Sequence, residues 1–278
     1  MEEVVKYEGG QMVKGLYTAY TGMINEQRRL DTLTNNLANS NTVGYKKEGA
    51  TAQSFDDTLA IKIKDTSVGS YMPRRIGDIN LGVDIGETYT DYSQGSFRIT
   101  DKPSDLALSG MGFFAIEFTD KQGNTSIKYT RNGEFTVNKD GYFVTSDGDY
   151  LLNAQAALNG QTGDAAHVRI DPVQEYSINS QGLIYQGGQV VAQVGVVDFE
   201  NYDYLAKYGE NLYEPVAGAT LVASDASVEQ GCLETANVNI VDEMVSMITI
   251  QRAYEAGQKM IQTEDETLEM AVSQVGRV

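Results

Sequence analysis

The sequence has few of the side chains on which most enzyme chemistry depends. Its 278 residues include one cysteine, one histidine, four prolines and no tryptophan. A lone cysteine, Cys232, excludes a disulfide framework within the chain and a zinc cluster built from cysteines. A hydrolytic triad would have to use His167, which follows a turn-like stretch at 160–166. We therefore expect no catalytic residue, no metal site and no cofactor.

Long apolar runs and a secretory signal are also absent from the sequence. No stretch reaches the ~18 uninterrupted apolar residues of a membrane span. The start, MEEVVKYEGGQ, is acidic and lacks the apolar segment of a Sec signal. The formal net charge of −18 argues against nucleic acid or an anionic membrane surface as the main partner. A content of 41% apolar residues predicts a folded chain of one large or two modest domains.

Residues 1–11 fit no secondary-structure element and are predicted to be an extension. A second methionine, Met12, follows them. The codons of residues 8–11 can contain a purine-rich sequence that resembles a ribosome-binding site. We therefore hypothesise that translation starts at Met12, which a native peptide containing Glu2 or Lys6 would exclude.

The clearest helical pattern runs from Asn237 to Val275. Apolar side chains recur there at alternating spacings of three and four, which places them in a stripe along one side of an α-helix. A helix of about 38 residues would be about 57 Å long and cannot bury such a stripe alone. The stripe contains Ile240, Met244, Met247, Tyr254, Ile261, Leu268, Val272 and Val275, with polar interruptions at Gln251, Gln258 and Asp265.

A second stripe of the same kind runs from Met12 to about Ala38. Residues 12–47 hold five basic and two acidic side chains (net +3), and residues 234–278 hold three basic and eight acidic ones (net −5). Opposite charges favour pairing of the two segments, although exposed ion pairs contribute only about 0–1 kcal/mol each. Two interpretations stay open, an antiparallel helix pair inside one domain and a seam shared with neighbouring copies. The stripe contains Val13, Leu16, Tyr20, Met23, Leu30 and Leu37, with interruptions at Gln27 and Thr34.

An asparagine-rich segment, residues 35–47, follows the first helix and reads NNLANSNTVGYKK. Asparagine, serine and glycine compete with helical hydrogen bonds and tolerate left-handed backbone, so the segment predicts a helix stop and a turn. Four asparagines in seven residues are more amides than a helix stop requires. Because side-chain amides can bridge to another backbone, the segment suits a contact between chains.

The middle of the chain divides into two parts. Residues 48–100 contain many glycines and few large apolar side chains, which predicts an extended connector with a short helix or strand at 55–63. From 101 to 233 the apolar period becomes two and turn signals recur, which predicts an antiparallel β domain. Its expected strands are Asp105–Leu108, Phe113–Phe118, Ser126–Thr130, Glu134–Val137, Tyr142–Val144, Tyr176–Ile178, Leu183–Tyr185 and Val190–Val197.

The expected fold class is therefore α+β. Two long terminal helices, in residues 12–47 and 234–278, would pack together in a coiled-coil-like manner beside the central β domain. One internal similarity lies in the β domain, where FTVNKDGYF at 135–143 matches YSINSQGLI at 176–184 in character. Each copy reads as strand, turn with glycine and returning strand, which indicates a reused hairpin.

Three short motifs resemble binding loops. Residues 110–115, GMGFFA, satisfy the loose dinucleotide pattern G-x-G-x-x-[G/A], but a phosphate loop must open a helix and this sequence continues as β. Residues 138–141 and 147–149 resemble fragments of calcium loops without the twelve-residue ligand pattern. We expect a tight turn at the first motif and hairpin turns at the other two.

Taken together, the motifs resemble the bacterial flagellar rod and hook family, most closely the rod proteins of the FlgF/FlgG type. They stand in the family's order and cover residues 12 to about 275. The departures are the extension before Met12 and the connector 48–100. The matching motifs are LYTAYTGM at 16–23, NNLANSNTVGYK at 35–46, SDLALSGMGFF at 104–114, YTRNGEF at 129–135, and NVNIVDEMV and QRAYE within 237–255.

The resemblance implies a structural subunit of the flagellar basal-body rod. Such a subunit would assemble into a helical tube of α-helices with the β domain outside, transmit torque for motility and line an export channel. The implied partners are further copies, other flagellar rod and hook proteins and the flagellar type III export apparatus, which carries subunits out without a Sec signal. The alternative is a surface adhesin with a β domain and a coiled-coil stalk.

The residues expected at the assembly interface come from the two stripes and the asparagine-rich segment. They are Leu16, Tyr20, Met23, Leu30, Asn35, Asn36, Leu37, Asn39, Asn41, Thr42, Gly44, Tyr45, Asn237, Met244, Met247, Gln251, Tyr254, Ile261 and Leu268.

Overall fold

The computed structural model describes residues 2–62, 74–209 and 211–275. The chain divides into two compact units. Unit 1 contains Met1–Ala38, Glu48–Asp91 and Asn239–Val278, and unit 2 contains Asn39–Lys47 and Tyr92–Val238. Residues 39–47, which the sequence assigns to the helical domain, therefore fold with the β unit.

The described residues form helices and strands in the order expected of an α+β protein. The α-helices are α1 (Glu2–Ala38), α2 (Ala154–Asn159) and α3 (Ile240–Val275), and a 3-10 helix covers Tyr202–Tyr204. The strands are β1 (Glu48–Ser54), β2 (Thr58–Lys62), β3 (Arg74–Ile79), β4 (Val83–Thr90), β5 (Phe97–Ile99), β6 (Leu106–Ser109), β7 (Phe113–Thr119), β8 (Thr125–Thr130), β9 (Thr136–Val137), β10 (Phe143–Val144), β11 (Tyr150–Leu151), β12 (Tyr176–Ile178), β13 (Leu183–Gln186), β14 (Gln189–Gln193), β15 (Val196–Phe199), β16 (Leu205–Gly209), β17 (Leu212–Pro215), β18 (Leu221–Ala223), β19 (Ser227–Gln230) and β20 (Cys232–Glu234).

The amino-terminal helix is longer than the sequence pattern predicts. α1 begins at Glu2, so the expectation that residues 1–11 fit no element is wrong. Once a helix has formed, each added residue contributes one hydrogen bond, and two glycines cost only about 1 kcal/mol each. The helix therefore continues through Gly9 and Gly10.

The predicted connector also differs from the structure. Its described part contains β1 to β5, and residues 63–73 lie outside the described residues. β1 pairs antiparallel with β4, from Glu48 opposite Thr90 to Ser54 opposite Val83, and β2 pairs with β3. Backbone hydrogen bonds join these strands, and the few apolar side chains in this region give no strand pattern by which the sequence could predict the pairing.

In unit 1, α1 contacts α3 as well as β1 and β4. Toward the strands, the Thr18 hydroxyl donates to the Leu81 carbonyl at 3.1 Å and Arg28 pairs with Asp84 at 2.9 Å. α3 begins with an asparagine cap, since the Asn239 carboxamide oxygen accepts from the Val241 N–H at 3.1 Å. No helix in the described parts of the chain is long and apolar enough to cross a membrane.

Unit 2 is built from antiparallel strands, as the sequence predicts. In the described residues its largest sheet has nine strands in the order β16-β17-β8-β7-β11-β10-β9, with β15 pairing with β7 and β18. Smaller sheets are β12-β13-β14, β19-β6 and β20-β5. The predicted strand 190–197 is divided into β14, which pairs with β13, and β15, which pairs with β7 and β18; between them the Gly195 N–H donates to the Leu152 carbonyl at 2.8 Å.

The reused hairpin predicted from the sequence is present in the structure. The Asn138 carboxamide oxygen accepts from the N–H groups of Asp140 at 3.0 Å and Tyr142 at 2.9 Å. The Asn179 oxygen accepts from Gln181 at 3.0 Å and Leu183 at 2.9 Å. In both turns a glycine with positive φ donates its N–H back to the carbonyl of that asparagine. The two hairpins therefore share one turn geometry.

Candidate assembly site

The two long helices pack against each other along a regular row of α3. Neighbouring pairs run from Gly15 near Glu264 to Leu30 near Tyr254, so the helices are antiparallel. A Cβ added to Gly257 would lie 3.7 Å from the Cβ of Met23, which lets α1 approach closely here. Spacings of four and three alternate along this buried or half-buried row, which consists of Glu243, Met247, Ile250, Tyr254, Gly257, Ile261, Glu264, Leu268 and Ala271.

This row agrees with the predicted stripe at every second position only. Met247, Tyr254, Ile261 and Leu268 belong to both, whereas the other members are shifted by one residue. Ile250 is 5% exposed, while the predicted interrupting residues, Gln251 among them, are all exposed. The apolar pattern of the sequence does not show this row, because Gly257 has no apolar side chain and Glu264 is charged.

On α1 the predicted stripe residues differ in exposure. Leu16, Met23, Leu30 and Leu37 are half-buried, whereas Tyr20 is 50% exposed. The side chains of Val13 and Val275, which the two stripes include, lie outside those that the structure describes.

An exposed apolar face covers the first three turns of α3. We call it the α3 apolar face; its members are 41–66% exposed and lie away from the row that contacts α1. A contiguous exposed apolar face is typical of an interaction surface. Its members are Ile240, Val241, Met244, Val245 and Ile248.

An open groove of about 520 Å³ runs between the two helices. Leu30 and Tyr254 contribute its apolar part, and amides and carboxylates contribute the polar part. The groove can receive a side chain that combines an apolar stem with hydrogen-bond donors. The polar members are Glu26, Gln27, Gln251, Glu255 and Gln258.

The asparagine-rich segment makes contacts inside its own chain. In unit 1, the buried Asn36 carboxamide donates to the Glu48 carbonyl at 2.8 Å and accepts from the Glu48 N–H at 2.9 Å, and Asn35 donates to the Glu48 carboxylate at 3.2 Å. In unit 2, the Thr42 N–H donates to the Asn39 carbonyl at 3.0 Å. Asn41 is exposed and so accessible to another chain.

Unit 2 buries a charged cluster that sequence reasoning missed. The Glu234 carboxylate lies 2.7 Å from the Lys46 ammonium and 3.3 Å from the Arg131 guanidinium, and all three residues are 1–2% exposed. The same carboxylate accepts from the Gly95 N–H at 2.8 Å. Arg131 also donates to the Gly110 carbonyl at 2.8 Å. Three donors from separate parts of the chain thus fix the position of the Glu234 carboxylate.

Further hydrogen bonds fix the residues around the cluster. The Gly44 N–H donates to the Glu234 carbonyl at 2.8 Å, and the Lys47 N–H donates to the Asn237 carboxamide at 2.7 Å. Gly44 has φ +69° and packs against the backbone of Arg131. Of the residues expected at an interface, Gly44, the buried Tyr45 and Asn237 thus lie in contacts within unit 2.

The remaining candidate residues and motifs lie in contacts that belong to the fold. His167 is buried, with its Nε2 3.1 Å from Glu117, and stacks on Tyr150 at 4.3 Å between ring centres. The glycines of the dinucleotide-like pattern precede strand β7, not a helix. Among the described residues, no three His, Cys, Asp or Glu side chains are grouped so as to hold a metal ion.

Three family models match the chain in successive segments. The model described as flagella basal body rod protein matches residues 16–46. The D1 domain of the flagellar hook protein FlgE/F/G matches residues 107–186. The carboxyl-terminal domain of the flagellar basal body rod FlgEFG protein matches residues 229–274, which include β20 and most of α3.

Relatives with established names match nearly the whole chain. The flagellar basal-body rod protein FlgG of Bacillus subtilis (strain 168) is 34% identical over 276 residues, which cover 94% of this chain and 99% of the relative. The rod protein FlgF of Caulobacter vibrioides is 32% identical over 269 residues, covering 96% and 100%. The flagellar hook-basal body complex protein FlhO of Bacillus subtilis is 29% identical over 284 residues, covering 96% and 100%.

Proposed function

The chain belongs to the flagellar basal-body rod protein family and is a structural subunit of that rod, and we propose that it assembles with further copies into a helical tube. The tube would transmit torque for motility and line an export channel. Other flagellar rod and hook proteins would continue it at its ends. The role is mechanical and involves no catalysis.

The observation that carries this proposal is the α3 apolar face. Its five side chains remain 41–66% exposed although α1 packs on the adjacent side of the helix. Complete burial of a valine, isoleucine or methionine side chain contributes about 1.5–3 kcal/mol. Burial of this face by a neighbouring copy would therefore stabilise the assembly by several kcal/mol at each contact, and the free subunit does not have this stabilisation.

The row on α3 supports a coiled-coil-like contact within each subunit. Its alternation of four and three over Glu243 to Ala271 is the heptad spacing of such packing. Each subunit would then bring a preformed helix pair to the tube and bind its neighbours through the α3 apolar face. A surface that pairs with a different surface on the next copy generates a ring if the rotation between copies closes and an open helical assembly if it does not, and the proposed tube is the second case.

Replacing Val245 by aspartate tests this proposal. The variant places a charge in the α3 apolar face, where burial without a partner is costly, while Val245 is 59% exposed in the subunit and its change should leave the fold intact. We expect loss of swimming and loss of the chain from isolated basal bodies. Ser246→Asp is the matched control, since Ser246 is exposed in the same turn but outside the face.

Two readouts make the outcome decisive. Circular dichroism of purified V245D should equal that of the unchanged chain, which separates an assembly defect from misfolding. Normal incorporation of V245D into basal bodies would overturn the proposed surface. Equal defects in V245D and S246D would show that added charge, and not the face, matters.

The proposal includes export through the flagellar type III apparatus without a Sec signal, as the family resemblance implies. A strain that lacks this apparatus should retain the chain in the cell, whereas inhibition of Sec should not. The opposite pattern would remove this part of the proposal and leave the role in the rod untouched. The adhesin alternative receives no support from the names of the relatives.

A further inference from the structure

We propose that three chain segments of unit 2 form a latch, which closes in one step when β20 docks after the sheets have formed. The latch consists of residues 43–47, 93–99 and 232–237. This inference concerns the folding of a single chain and does not depend on assembly.

Glu234 contacts every part that the latch joins, and Asn237 adds a second link, because its carboxamide accepts from the Lys47 N–H and donates to Ser93. The Glu234 carboxylate contacts Lys46 in the first segment, Gly95 in the second and Arg131 on the sheet, and its carbonyl accepts from Gly44. β20 also pairs with β5, with Cys232 opposite Ile99 and Glu234 opposite Phe97. Displacing β20 therefore removes partners from all three segments together.

Charge makes the docking of the three segments interdependent. Lys46 and Arg131 are 1% and 2% exposed, and each bonds a different oxygen of the same carboxylate. Burying like charges without the acid that they share is strongly unfavourable, whereas both cations stay hydrated while the latch is open. The first segment also contacts the rest of unit 2 directly, since Asn211 donates to the Val43 carbonyl at 2.6 Å, and docking of Glu234 adds the carboxylate that Lys46 and Arg131 share.

The apolar packing of unit 2 allows the sheets to form first. Its two large buried clusters are centred on residues such as Phe114 and Phe113. The buried apolar residues of the latch, Val43, Tyr45 and Leu233, belong to neither cluster. Opening the latch would thus leave both clusters in place.

Sequence separation favours late docking. Glu234 lies 188 positions from Lys46, whereas the partners in the β6-β19 pairing are 118–124 positions apart and the β7-β8 hairpin closes over a short loop. Long loops cost more entropy to close, so contacts of this range form late unless others have already brought their ends together. The latch thus joins residues 43–47, near the start of unit 2 in the chain, to residues 232–237, near its end.

Hydrogen exchange on the full chain, followed residue by residue, tests the latch. In the unchanged chain, the amides of Gly44 and Gly95 should exchange faster than amides of β7 and β8. Glu234→Gln should raise exchange at Gly44 and Gly95 at least tenfold and leave β7 unchanged. The control is Glu229→Gln, an exposed glutamate on the neighbouring strand β19, which should change neither.

A second variant separates the effect of the unpaired buried charge from the effect of the changed side-chain shape. Lys46→Met combined with Glu234→Gln removes one buried cation together with the acid, so its exchange at Gly95 should be slower than that of E234Q alone. Folding kinetics of E234Q should show a faster unfolding rate and a folding rate within twofold of the unchanged chain, because the contact forms after the transition state. Equal acceleration of exchange in β7, failure of E234Q to fold, or no difference from E229Q would each overturn the latch.

Discussion

Asn138 and Asn179 accept the same pair of backbone hydrogen bonds in two different hairpins. Each carboxamide oxygen binds the N–H groups two and four positions further along the chain, at 2.9–3.0 Å. Gly141 and Gly182 then close the two turns with φ of 86° and 74°. The two hairpins are thus alike in the side chain that holds the turn as well as in their strands.

Replacing either asparagine by alanine should lower the free energy of unfolding by about 1 kcal/mol, since two backbone donors lose their shared acceptor. Urea unfolding of N138A and N179A would measure the loss. Asn179→Asp keeps an acceptor oxygen and should lose less. Equal losses for N179A and N179D would show that the two hydrogen bonds do not hold the turn.

Ile250→Ala distinguishes the observed helix contact from the stripe predicted by the sequence. Ile250 is 5% exposed, so truncation should lower the free energy of unfolding by about 2–4 kcal/mol. Gln251→Ala, at the exposed neighbouring position, should change it by less than about 0.5 kcal/mol. The helix signal in circular dichroism during urea unfolding measures both variants. A larger loss for Q251A would place the predicted stripe at the contact.

Gly44→Ala should be strongly destabilising. Gly44 has φ +69°, and an added Cβ would lie 2.4 Å from the carbonyl carbon of Arg131. We expect the free energy of unfolding to fall by at least about 2 kcal/mol. Gly22→Ala is the matched control, because its Cβ would meet nothing within 4 Å and a helical glycine gains up to about 1 kcal/mol on this change. Thermal unfolding should therefore move in opposite directions for the two variants.

Burial raises the pKa of Tyr129 from 10.0 to about 12. The unfolded chain then loses the phenolic proton at a lower pH than the folded chain. The contribution of Tyr129 to the free energy of unfolding should therefore be constant below about pH 10 and should fall from about pH 10 to about pH 12. Urea unfolding of Tyr129→Phe should lose part of this alkaline decline. Tyr204→Phe, at a side chain 44% exposed, should retain it.

The sequence was sufficient for the elements that follow from local periodicity. The carboxyl-terminal helix starts three residues after its predicted start and ends at the predicted Val275. The hairpin copies were found because a turn and its flanking strands occupy only nine residues. The side of α3 that meets α1 was missed by one position, since Ile250 and Gln251 lie in alternative heptads that share Met247 and Tyr254.

Contacts between residues far apart in the chain cannot be predicted from the sequence pattern. β1 and β4 meet across the predicted connector through backbone groups, which have no residue-type signal. Lys46 donates to the Ser93 carbonyl and to the Glu234 carboxylate, and nothing near Lys46 in the chain identifies either residue. Lysine is rarely buried without a partner, but the sequence does not reveal that Lys46 is buried.

His167 lies nearly parallel to the Tyr150 ring, with an interplanar angle of 12°, and meets the Tyr142 ring edge-on. It is the single histidine of the sequence. Its ring protons should therefore give one isolated pair of magnetic-resonance signals, displaced by the ring currents of two tyrosines. In a subunit labelled only at histidine, the chemical shifts of His167 would report on the structure around β11, both in the free chain and in the assembled rod.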